Sequence, residues 1–106
     1  MAGIWERVRP TGAFEHRLPI LPFKTELTGL ALGLRTLADL KTTLQSIYEG
    51  NIFSREEVDD IEALAVNIAE GTTAQRLIYS ARLEWALMAA EFGQITEVEF
   101  RTALGI

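Results

Sequence analysis

The sequence predicts an all-α fold, a small bundle of four or five short helices with an extended N-terminal arm. Three observations predict it. Apolar residues recur at helical spacing from about residue 25 to the C-terminus, Ser/Thr-x-x-Glu/Gln pairs punctuate that stretch at 54, 72 and 96, and all three prolines lie at or before position 22. The chain thus divides into an arm, residues 1–24, and a helical body, residues 25–106.

The arm is expected to be extended, because Pro10, Pro19 and Pro22 each fix their own φ and push the preceding residue toward β or polyproline conformations. It also holds Ile4, Trp5, Val8, Phe14, Leu18, Ile20, Leu21 and Phe23, too much apolar surface for a solvated tail. Its charge is opposite to that of the body. Arg7, Arg9, Arg17 and Lys24 outnumber Glu6 and Glu15, so the arm is +2 and the body −7 within a net −5. A segment with this composition is expected to dock, and Ile4, Trp5, Arg7, Val8, Arg9, Phe14, Leu18 and Ile20 are its candidate partner-binding residues. Docking on its own helices or on a neighbour is left open by the sequence.

In the body, Leu27, Leu30, Leu34, Leu37, Leu44 and Tyr48 mark a recurring helical face over residues 25–49. Gly33 can cap one helix near Leu32, and Thr36 with Asp39 can open another, which favours two short helices over one long one. Gly50 and Asn51 end that segment. Ser54 with Glu57 forms a capping box, with Phe53 and Val58 as a hydrophobic staple, and Val58, Ile61, Leu64, Ala65 and Ile68 follow on one face before Gly71. Thr72 with Gln75 begins a long helix to about Phe92, and Thr96 with Glu99 begins a short terminal one.

The long helix has two apolar faces when projected at about 100° per residue. Ile78, Ala81, Trp85, Met88, Ala89 and Phe92 form a broad face, and Tyr79, Leu83, Ala86, Leu87 and Ala90 form a second. Such a helix is either central in its own fold or shared with a partner; the expectation here is the hub of the bundle.

The chemistry-bearing residues point away from catalysis. There is no cysteine, hence no disulfide, thiolate nucleophile or cysteine-based metal site. His16 is the one histidine and has no serine near it in sequence to activate, so a surface role is expected. Glu56, Glu57, Asp59, Asp60 and Glu62 lack the spacing of a calcium loop and fall in the first turns of a helix, where negative charge complements the macrodipole. No phosphate loop, dinucleotide fingerprint or paired histidines appear. The expectation is a non-enzyme with no cofactor and no metal. An acidic body argues against nucleic acid as a partner, and no apolar run of about 20 residues suggests a membrane span.

The chain loosely resembles the small virion-associated proteins encoded among the structural genes of tailed bacteriophages. The likeness runs from Leu18 to Ile106, through the Leu18-Pro19-Ile20-Leu21-Pro22 stretch, the short capped helices, the acidic helix after Ser54, and the ending from Ala90-Glu91-Phe92-Gly93-Gln94-Ile95-Thr96 to Leu104-Gly105-Ile106. It implies a structural role in a capsid, neck or tail. The partners would be other virion proteins, in multiple copies within a symmetric assembly. The chain would be made in the host cytoplasm and reside in the virion, with its arm latched onto an adjoining subunit. The alternative is a regulatory module that binds a host protein through its acidic helix.

Overall fold

The computed structural model describes residues 3–10, 21–49 and 53–106, and every regular element among them is an α-helix. In order they are α1 (Trp5–Val8), α2 (Leu21–Ala31), α3 (Leu37–Glu49), α4 (Arg55–Ala69), α5 (Thr73–Glu91) and α6 (Glu97–Leu104). The fold is therefore all-α. The expected stop at Gly50 and Asn51 lies outside the described residues.

Local chemistry sets the helix limits. Ser54, Thr72 and Thr96 each accept a hydrogen bond from the amide three residues on, and Glu57, Gln75 and Glu99 each reach back to the cap residue's own amide. Each exchange satisfies two amides that a helix start otherwise leaves bare, and the hydroxyl cap alone contributes about 1 kcal/mol. Residues 21–49 form two helices, as the spacing favoured. Gly33 turns the chain after α2 at φ +77°, and Thr36 and Asp39 exchange the same pair of bonds at the start of α3. The turn also takes Leu34 off the periodic face. Leu34 is exposed, whereas Leu27, Leu30 and Leu44 are buried.

The N-terminal segment departs from its expected extended form. Residues 5–8 are helical, and α2 begins at Leu21 with Pro22 in its first turn, where a residue without an amide forfeits no helical bond. Pro10 and Pro22 border helices here. Arg9, just before Pro10, takes the extended conformation that a following proline favours (ψ 158°).

α4 is the spine. It packs against α2, α3 and α5, and Val58, Ile61, Leu64, Ala65 and Ile68 are all buried, the face that periodicity picks out. At about 1.5–3 kcal/mol for each large aliphatic side chain removed from water, this row is a principal source of stability. α5 contacts α1, α2, α4 and α6, yet through one side only.

α1 is clasped to the spine. Ile4 and Val8 are 1% and 3% exposed within the common core, and the Trp5 ring lies 5.5 Å from that of Phe100. Asp60, itself buried, accepts the Ile4 amide at 3.1 Å and holds the Arg101 guanidinium by two bonds of 3.0 and 3.1 Å. That pairing raises the Arg101 pKa above its ordinary value, chiefly through the hydrogen bond to Asp60. Gly3 has φ +95°, and a β-carbon there would overlap Asp60 Oδ2, so only glycine lets the chain approach this closely. Arg7 forms an ion pair with Glu57 and lies 4.8 Å above the Phe53 ring, which in turn packs against Phe23 at 5.3 Å. Glu57 thus serves its own capping box and the N-terminal segment together.

At the opposite end of α4, Asn67 and the Tyr79 hydroxyl both donate to the Leu104 carbonyl, at 3.1 and 2.6 Å, and fasten the C-terminus of α6. Burial pushes the Tyr79 phenol up from its ordinary pKa of 10.0.

Candidate protein-interaction surface

The expected partner-binding residues separate into three fates. Ile4 and Val8 are spent inside the chain's own core, the in-chain side of the docking that the sequence left open. Trp5 is half-buried against Phe100, Arg7 is paired with Glu57, and Arg9 is exposed with its guanidinium 3.1 Å from Glu6. Phe14, Leu18 and Ile20 lie outside the described residues, as does His16. The attraction between a basic arm and an acidic body is thus satisfied, for residues 3–10, within one chain.

The acidic run is largely consumed in the same way. Glu57 and Asp60 are paired with Arg7 and Arg101, Asp59 meets Arg55 at 3.2 Å, and Lys41 lies 3.7 Å from Glu62. An acidic patch neutralised by its own chain is a weak lure for a basic partner.

Most of the exposed large apolar side chains among the described residues are on α5 or at its end. Its inner side, with Leu83, Ala86, Ala89 and Ala90 buried and Tyr79 and Leu87 packed at the edge, is the side turned toward α1, α2, α4 and α6. The broad face, apart from Ala89, points outward. Ile78 is 59% exposed, Trp85 53%, Met88 53% and Phe92 68%. The hub expectation is half right: α5 touches four helices, but of its richer face only Ala89 is buried.

This outer face has an internal order. Ala74, Ile78, Ala81, Trp85, Met88 and Phe92 follow one another by four, three, four, three and four residues, the alternation that keeps side chains on a narrow stripe, here about 80° wide at 100° per residue. The stripe runs about 27 Å along the helix at 1.5 Å per residue. Leu77, Glu84 and Glu91 border one flank; Gln75 and Arg82 border the other. Lys24 of α2 reaches across to Glu84 at 2.9 Å. The stripe is held rigidly, because α5 is capped at its start by Thr72 and closed at its end by Gly93 at φ +69°, where the Gln94 amide donates to the Ala89 carbonyl.

The signal for this site was in the sequence. Two apolar faces on one helix were visible, and what periodicity could not say is which of them the rest of the chain would cover. A smaller apolar spot surrounds Leu32 and Leu34 beside a shallow groove lined by Lys24, Thr28, Gly29 and Arg35. Glu26 and Arg35 at its edge are paired at 3.0 Å. Among the described residues, no group of three His, Cys, Asp or Glu side chains is arranged to hold a metal ion, and no helix is long and apolar enough to cross a membrane. Comparison with known proteins adds no relative: no family model, curated protein or solved structure matches the chain.

Proposed function

We propose that the chain is a non-enzymatic assembly protein, a structural component of a tailed-phage virion that joins its neighbours through the outer face of α5. The observation that carries the joining role is the ordered, exposed stripe of Ile78, Trp85, Met88 and Phe92 on a well-capped helix. Together with Leu77 it exposes on the order of 500 Å² of apolar surface, at the upper end of the largest patch that a typical monomer tolerates. Tryptophan is also among the side chains that contribute most at protein interfaces. The virion setting is supported by the resemblance of residues 18–106 to small phage structural proteins.

The regulatory alternative loses ground, since the acids it would use are engaged by Arg7, Arg55, Lys41 and Arg101. The test of the assembly reading is to follow the chain through particle purification. Co-sedimentation with particles in fixed stoichiometry, lost on Trp85→Glu, supports it; a chain found wholly outside particles overturns it.

A further inference from the structure

We infer that the occupant of the α5 stripe is the α5 stripe of a second copy of this chain, packed antiparallel about a two-fold axis near residue 83. The inference rests on the proposed assembly role of this face and names its partner. It comes from the order of side-chain sizes along the stripe, which reads small, large, small, large, large, large from Ala74 to Phe92.

Laid antiparallel with the axis beside residue 83, the six positions pair without remainder. Ala74 faces Phe92, Ile78 faces Met88, and Ala81 faces Trp85, each pair occurring twice by symmetry. Both aromatic residues meet an alanine, so each ring enters a gap and the layers keep a nearly even thickness, as close packing requires. The parallel arrangement does the reverse. It sets Trp85 on Trp85 and Phe92 on Phe92 while leaving Ala81 on Ala81 as a void. Both alanines are exposed, so the gaps are open to a visitor.

The surface area agrees with a pair of copies. Two such patches of roughly 500 Å², Leu77 included, give about 1,000 Å², and the flanking Gln75 and Arg82 bring the total toward the lower bound of stable specific interfaces, about 1,200 Å². The four-three alternation is also the one that suits two helices crossing at about 20°. Near the axis the symmetry brings Glu84 toward its own copy, and Lys24 of the same chain lies 2.9 Å from that carboxylate and offsets its charge. Arg82 also meets its copy on the other flank, an exposed like-charge contact that costs a fraction of the packing gain.

The test is size exchange across the axis, read by sedimentation equilibrium of the full chain. The wild type should sediment at twice the 11.8 kDa chain mass. Ala81→Trp sets tryptophan against tryptophan and should weaken the dimer at least tenfold, whereas Ala81→Trp with Trp85→Ala restores one tryptophan against one alanine and should recover it. In a parallel dimer Ala81→Trp fills the void and tightens association, a result that overturns the antiparallel register. Native cysteine is absent, so oxidation offers a second reading. The Ile78→Cys, Met88→Cys double variant should cross-link between chains, and Ile78→Cys alone should not; cross-linking by the single variant overturns the proposal. All of these positions are on the surface, and an unchanged helical circular dichroism spectrum checks that each variant folds. A wild-type chain that is monomeric in solution but still enters particles sinks the dimer and spares the assembly reading. A dimer that never enters particles does the opposite.

Discussion

The N-terminal segment and the outer face of α5 both carry large apolar side chains outside the α4 core row, and they have met opposite ends. Ile4 and Val8 are fully covered by the chain's own helices, while Trp85 and Phe92 are more than half exposed. What separates them is the polar chemistry beside the apolar residues. The N-terminal segment has a docking apparatus: an amide and a guanidinium that find Asp60 and Glu57, and a glycine that permits the approach. The α5 stripe is bordered by residues that leave it open. Burial within a chain follows where polar groups can be satisfied along with apolar ones; beside the α5 stripe the Lys24–Glu84 pair satisfies charge at the flank without covering the apolar side chains.

The strongest way to break this contrast is to remove residues 1–9. Loss of two fully buried aliphatic side chains and of the Trp5 ring should cost about 5 kcal/mol or more, enough to unfold a domain of ordinary stability. Urea denaturation checks it, and a truncated chain as stable as the whole one would show that the segment is an accessory.

Next in size is Asp60→Ala. It strands the buried Ile4 amide and leaves Arg101 without its carboxylate, and should destabilise by about 3 kcal/mol. Thermal unfolding measures it, and the companion change Arg101→Ala should then add little, because the two act through one contact.

Tyr79→Phe is smaller, about 1 kcal/mol at neutral pH for one hydrogen bond to the Leu104 carbonyl. It also carries a sign. The folded phenol has a raised pKa, so its contribution is whole below pH 10 and shrinks as pH rises past that point, where the unfolded chain gains by ionising. The stability gap between wild type and Tyr79→Phe should narrow from pH 9 to 11. A gap constant over that range would mean that the phenol is not perturbed by burial.

The smallest effect sharpens the other half of the comparison. Trp85→Glu with Met88→Glu touches only exposed positions and should change the stability of the isolated chain by less than about 0.5 kcal/mol. The same pair should abolish self-association. A large loss of monomer stability would show that the stripe has an intramolecular role after all.

The sequence by itself determined where α4, α5 and α6 start and favoured two helices over one in residues 25–49, because caps and glycine turns act within three or four residues and need no distant partner. It also determined the inner face of α4. Tertiary structure alone decided that residues 5–8 coil into a helical turn and dock, through contacts that join Ile4 to Asp60 over 56 positions and Arg101 to Asp60 over 41. It decided, too, which face of α5 turns inward. Periodicity counts apolar residues on each side of a helix but carries no information about how many neighbours will arrive to cover them, and here α1, α2, α4 and α6 all pack on one side.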